Sequence, residues 1–139
     1  MNQSMYLGKA SEHLIISKLL SEGREIYVPA VDDHGVDLLV RTIQTNSSHT
    51  YQEIQVKSIS TGGLFAAISC PKPSPNYWFV FYVKDINTLW LINSVDFTNI
   101  ASKNVKGKNV GKYSLSLANK KGPAKNWSKY IITNFNQLP

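Results

Sequence analysis

Two stretches decide how this chain folds: Gly35-Val-Asp-Leu-Leu-Val-Arg-Thr42 and Tyr51-Gln-Glu-Ile-Gln-Val-Lys-Ser58. In the first, Val36, Leu38 and Val40 alternate with Asp37, Leu39 and Arg41. In the second, Ile54 and Val56 alternate with Tyr51, Glu53, Gln55 and Lys57. Period-two alternation of apolar and polar residues is the pattern of a strand with one buried face. The polar segment Gln44 to Thr50 reads as the loop of a hairpin. Whether Asp37, Gln55 and Lys57 meet then depends on parity. A connection of odd length pairs residues whose numbers sum to an even value and sets Asp37 opposite Gln55 or Lys57, whereas an even connection turns one set to the other face. The odd case is expected. A carboxylate, an amide oxygen and an ammonium would then lie within roughly 5–8 Å of one another.

Upstream, Met5 to Ser21 carries helical spacing, with Gly23 placed to end it in the left-handed region. At that spacing Glu12 shares a face with Ile15, Ile16 and Leu19, so its carboxylate is expected on the side that packs on the sheet. Burying it unpaired is costly, and a cation or the Lys57 ammonium would offset that cost. A short strand is expected at Glu25–Pro29. Others are expected at Leu64–Ser69, Tyr77–Val83, Thr88–Ile92 and Tyr113–Leu117, with short helices at Val95–Ala101 and Trp127–Phe135. Pro71, Pro73 and Pro75 make the connection after Cys70 irregular. The aromatic run Tyr77, Trp78, Phe79, Phe81 and Tyr82, with Trp90 in the next strand, reads as core.

The whole chain has 139 residues, 42% hydrophobic and 17% charged, which suits one globular domain. Met1 precedes polar Asn2, Gln3 and Ser4 rather than a leader's basic and apolar regions, and the apolar runs are too short or interrupted to span a bilayer. A cytoplasmic protein without membrane association is expected. Cys70 is a lone cysteine and reads as structural. His13, His34 and His49 lack ligand spacing, so no zinc site is expected; His34, beside Asp32 and Asp33, reads as a turn residue.

The net charge of +6 is unevenly spread. Residues 1–70 hold five basic and seven acidic residues, whereas residues 71–139 hold ten lysines and only Asp85 and Asp96. Beyond Asp96 come Lys103, Lys106, Lys108, Lys112, Lys120, Lys121, Lys125 and Lys129 with no acid among them. Such a block suits a polyphosphate, since each lysine contact releases condensed counterion. The absence of arginine there argues against bidentate reading of bases. Lys120, Lys121, Lys125 and Lys129, with Trp127 between the last two, are the candidates for nucleic-acid contact.

A glutamate in the first helix, then Gly-Val-Asp-Leu-Leu-Val ending at Val40, then Gln55-Val56-Lys57 after a hairpin, resembles the PD-(D/E)xK, or restriction-endonuclease-like, nuclease superfamily. The likeness covers about residues 5 to 60. It implies an α/β fold with a central mixed sheet flanked by helices. It also implies that Asp37 is the metal-binding aspartate, Lys57 the catalytic lysine and Glu12 the helix glutamate. Gln55 stands where Asp or Glu is usual, as in branches resembling the Mrr-type restriction enzymes, and Val36 replaces the proline. The implied cofactor is Mg²⁺ or Mn²⁺, held by Asp37, the Gln55 oxygen, the Val56 carbonyl and Glu12. Glu53 could restore the charge missing at Gln55, though a cross-strand ion pair with Arg41 is its expected role.

The implied activity is metal-dependent hydrolysis of DNA in restriction, defence or repair, leaving a 5′-phosphate. A chain this short has no room for a separate recognition domain, so a homodimer or a partner protein would supply specificity. The alternative is a catalytically silent module of the same fold that binds nucleic acid or a partner protein, and Gln55 is the feature that keeps it open. An RNA substrate is a third reading.

Overall fold

The computed structural model describes residues 2–31, 35–43 and 49–139. The segments holding Asp32, Asp33 and His34, and most of the expected Gln44–Thr50 loop, lie outside the described residues. Helix α1 (Gln3–Ser21) starts where the Asn2 side chain accepts the Ser4 N–H at 3.0 Å, and it ends before Gly23, whose φ is +79°. Its sheet-facing stripe is Ser11, Ile15 and Leu19. Ser11 is tolerated there because its hydroxyl donates to the Leu7 carbonyl at 2.7 Å.

The chain then runs through β1 (Ile26–Tyr27), β2 (Leu38–Arg41), β3 (Tyr51–Ile59), β4 (Leu64–Ile68), β5 (Tyr77–Val83) and β6 (Thr88–Asn93). Helix α2 (Ser94–Ile100) follows, capped by the Asn93 side chain on the Val95 N–H. The remaining elements are β7 (Ser102–Lys103), β8 (Tyr113–Ser116), β9 (Ala118–Asn119), β10 (Gly122–Pro123), a 3-10 turn (Lys125–Tyr130) and β11 (Ile131–Ile132).

The main sheet has the order β1-β2-β3-β5-β6-β11, with β3 and β5 parallel and the other neighbours antiparallel. Both faces are covered, which is why β5 reads as a continuous apolar run rather than an alternation. On one face, α1 and the C-terminal segment bury Ile15, Leu19, Leu38, Val40, Ile54, Val80 and Phe135. On the other, α2 and a three-stranded sheet of order β4-β8-β7 bury Phe65, Phe79, Phe81, Trp90, Phe97 and Leu117. This is the mixed α/β architecture expected from the sequence. Gly63 lies so close to Ala118 that a Cβ there would fall 2.3 Å from the Ala118 backbone, so glycine is required where β4 begins.

The expected helix over Trp127–Phe135 does not form. The 3-10 turn covers only Lys125–Tyr130, and β-branched Ile131 and Ile132 instead pair with Trp90 and Leu89 to extend the main sheet. Edge pairing satisfies their backbone groups, so tertiary context overrides a weak helical signal. Among the described residues, no helix is long and apolar enough to cross a membrane.

Candidate active-site edge

The site forms where β2 leaves β3. The two strands pair from Arg41↔Tyr51 to Leu38↔Ile54, so paired numbers sum to an even value and the expected parity holds. Beyond Leu38 the regular ladder stops. Asp37 donates its N–H to the Ile54 carbonyl at 2.8 Å, and its Oδ2 accepts the Val56 N–H at 2.7 Å. Its carboxylate thus stands on the β3 edge where the next carbonyl of β2 would have been. In a strand, the N–H and C=O of one residue point toward the same neighbour, so the Val56 carbonyl faces this edge as well.

Gln55 and Lys57 project from the face of β3 that carries α2 and the smaller sheet, in register with Phe79 and Phe81. Gln55 is held on two sides. Its Oε1 accepts the Tyr77 hydroxyl at 2.6 Å, and its amide rests on Gly35, where an added Cβ would lie 3.2 Å from Nε2. Gly35 has a φ of +73°, a conformation that favours glycine, and an added Cβ would press on the Gln55 side chain. Lys57 is half-buried, and among the described residues its ammonium has no ion-pair partner. Beside Gln55 opens a cleft of about 720 Å³ whose walls include Glu53, Gln55, Lys72 and Tyr77.

This arrangement of strands and helices is shared with a nuclease. A solved structure of a bacterial homing endonuclease, I-Ssp6803I, superposes with a TM-score of 0.58 over 89% of this chain and 85% of that one, at 16% sequence identity. No family model and no curated protein matches the sequence. At that identity the likeness describes the fold.

Glu12 belongs to α1, which packs on the opposite face of the sheet from Gln55 and Lys57. Leu7, Ala10 and Leu14 of α1 line a cavity with Tyr82 and Lys84, which sets that flank of the helix toward β5. Helical spacing turns Glu12 and Ile16 to the other flank, toward β2. Glu12 is therefore at the margin of the packed stripe rather than on it, and its carboxylate pairs with Lys9 at 3.7 Å. Asp37, Gln55 and the Val56 backbone gather at one edge, with Lys57 next along the strand. No hydrogen bond or ion pair joins Glu12 to Gln55 or Lys57.

The expected Arg41–Glu53 pair is replaced. Arg41 bonds the Glu25 carboxylate at 3.0 Å and contacts His49, because Glu25 sits on the neighbouring strand side, where Arg41 also donates its N–H to the Glu25 carbonyl. The Tyr27 hydroxyl and Arg41 hold the Glu25 carboxyl below the usual range. Glu53 is left exposed on the cleft wall, without an ion-pair partner among the described residues. Lys120 and Lys121 occupy the exposed β9–β10 turn, and Lys125 and Lys129 are exposed on the 3-10 turn. Trp127 is half-buried against the core shared with Trp90. Cys70 is buried, and burial pushes its thiol up.

Three residues of the region escape a reading by residue type: Gly35, Lys72 and Tyr77. Tyr77 hides in an aromatic run, yet it opens β5 opposite Glu53, ahead of the fully buried positions. Gly35→Ala is expected to lower stability by about 1–2 kcal/mol in urea unfolding, because alanine disfavours this φ and crowds Gln55. Tyr77→Phe, which removes the hydroxyl that donates to Gln55 Oε1 and lies 3.4 Å from the Gly35 carbonyl, should cost about 1 kcal/mol and leave the fold intact.

Proposed function

We propose that this protein is a metal-dependent DNA endonuclease of the PD-(D/E)xK type. The observation that carries the reading is the Asp37 carboxylate seated on the Val56 N–H at the open edge of β3, with Gln55 and Lys57 on either side of Val56. The nuclease fold of the homing endonuclease supports it. The donors Asp37, Gln55 Oε1 and the Val56 carbonyl are hard oxygens, and the family resemblance would add Glu12 of α1 to them. Among the described residues no three His, Cys, Asp or Glu side chains gather around a metal position, so a cation here would depend on the neutral Gln55 and Val56 oxygens beside the Asp37 carboxylate. This set fits Mg²⁺ or Mn²⁺ that keeps several waters. A cation held there supplies Lewis-acid stabilisation of charge on the phosphate oxygens.

The chain's own groups do the remaining work. The Val56 N–H fixes the rotamer of Asp37, and Tyr77 with Gly35 fixes that of Gln55, so little reorganisation is needed when substrate arrives. The Tyr77 hydroxyl uses one lone pair of Gln55 Oε1 and leaves the second for a ligand. Lys57 presents an ammonium that orients the attacking water and neutralises negative charge on the phosphoryl group. DNA is the substrate class favoured by the acid-free lysine block after Asp96. Restriction, defence and repair are the settings such an activity serves, with a second copy or a partner protein contributing specificity.

The test is nicking of supercoiled plasmid with Mg²⁺ or Mn²⁺, beside EDTA controls and Asp37→Ala. Metal-dependent nicking that disappears in Asp37→Ala is the expected result. Salt-sensitive DNA binding with no cleavage in either metal would replace this reading with the silent module, in which Gln55 serves only as the partner of Tyr77.

A further inference from the structure

We propose that Lys72 is a phosphate-binding residue that holds the DNA backbone one phosphate away from the Asp37–Gln55 edge. The inference rests on the endonuclease reading and extends it to a residue outside the family motif. Lys72 stands on the wall of the cleft of about 720 Å³ that Glu53, Gln55 and Tyr77 also line. It is exposed, and among the described residues it has no acidic partner, although Glu53 shares the cleft.

Its backbone is unusually constrained for an exposed lysine. Pro71 and Pro73 flank it and fix two φ angles. On one side Cys70 is buried in the core. On the other, the Ser74 N–H donates to Ser94 Oγ at 2.8 Å, Ser94 Oγ donates to the Ser74 carbonyl at 2.9 Å, and Asn93 Nδ2 donates to the Pro75 carbonyl at 2.9 Å. The segment is therefore pinned to the start of α2, and less backbone freedom is lost when its lysine takes a ligand.

Charge and position identify the ligand. Glu53 alone would repel an anion entering the cleft, and the Lys72 ammonium offsets that repulsion. Along β3, Glu53 lies two residues before Gln55 and Lys57 two residues after it. Lys72, on the Glu53 side, and Lys57 thus bracket the Asp37–Gln55 edge. Two cations on either side of one set of oxygen donors suit consecutive phosphates of a strand drawn across the edge. A single small anion would need only one of them.

The experiment measures binding of a short duplex oligonucleotide, in EDTA, as salt is varied, together with cleavage kinetics in Mg²⁺ or Mn²⁺. The proteins are wild type, Lys72→Ala, Lys72→Arg and Lys84→Ala. Removing one phosphate contact should reduce the slope of log K against log salt by about 1 and weaken binding about 8-fold near 0.1 M salt. KM should rise by a similar factor with kcat unchanged. Lys72→Arg should restore both the slope and KM, and Lys84→Ala, remote from the cleft, should change neither. If wild type cleaves and Lys72→Ala keeps the wild-type slope and KM, the phosphate assignment is wrong while the endonuclease reading stands. If Lys84→Ala matches Lys72→Ala, the effect is general charge and the assignment is likewise overturned. Wild-type protein that neither binds nor cleaves DNA removes the endonuclease reading and this inference with it.

Discussion

Lys57→Ala is expected to lose metal-dependent cleavage by on the order of 10³-fold while unfolding at nearly the wild-type midpoint. The size follows from what the ammonium does. A positioned donor aimed at charge that develops only during reaction contributes about 10²–10³ in rate when it is preorganised and partly shielded from water. Lys57 meets that description: it is half-buried on β3, in register with fully buried Phe81, and among the described residues no carboxylate claims it. The stability change should stay within about 0.5 kcal/mol, because among the described residues the ammonium has no ion pair to lose and β3 keeps its pairing with β5. Lys57→Arg should recover only part of the rate, since the planar guanidinium cannot orient water or phosphate as a compact ammonium does. The pair of readouts separates chemistry from folding. Cleavage unchanged in Lys57→Ala places the reacting centre elsewhere, and cleavage lost together with a lowered unfolding midpoint assigns the residue to packing.

The parts of the fold that were legible in the sequence are those in which one local rule acts alone. The β2–β3 hairpin is such a case: alternation marks both strands, and the odd number of residues between Arg41 and Tyr51 sets the parity of the ladder that ends at Leu38↔Ile54, just before Asp37. Helix α1 and its end at Gly23 follow from spacing and a permitted left-handed φ. Where two elements compete for the same residues, local rules give no answer. Ile131 and Ile132 lie in a stretch with helical character and become a strand because β6 offers an edge. β7, β9 and β10 are two residues each, too short to leave any periodicity. At the candidate site, residue types and order pointed to Asp37, Gln55 and Lys57, and strand pairing sets Gln55 and Lys57 on one face of β3 with the Asp37 carboxylate on the Val56 N–H between them. The Tyr77 hydroxyl bond and the close approach of Gly35 depend on β5 lying parallel to β3, a long-range pairing with no local signature. Glu12 shows the limit of a helical wheel. Spacing puts it near the apolar stripe, but only the packing of Leu7, Ala10 and Leu14 toward Tyr82 reveals which flank it occupies.

Arg24→Met is expected to destabilise the protein by about 2–4 kcal/mol, with the loss concentrated where the C-terminal segment meets the core. Arg24 is only 7% exposed, just beyond the Gly23 turn that ends α1. Its guanidinium donates to the Phe135 and Leu138 carbonyls, each at 3.2 Å, and to the main-chain oxygen of Pro139 at 2.6 Å. Glu22 completes the tie by accepting the Phe135 N–H at 2.8 Å. Burial lowers the Arg24 pKa, the nearby Glu22 carboxylate partly restores it, and the side chain remains charged. Methionine retains much of the stem's apolar contact but leaves those carbonyls without their donor, and unsatisfied buried acceptors carry most of the expected cost. Phe135 and Leu138 fill the core beneath α1 beside Ile15 and Leu19, so loosening them also loosens the helix that carries Glu12. Urea unfolding should show a lower midpoint with an unchanged m-value, and amide exchange should accelerate first over residues 131–138. Glu22→Gln should cost less, because its amide oxygen can still accept the Phe135 N–H. An unchanged midpoint in Arg24→Met would mean that apolar packing of the methionine replaces the three charged hydrogen bonds in full, and that the C-terminal segment is held by Ile132, Phe135 and Leu138 alone.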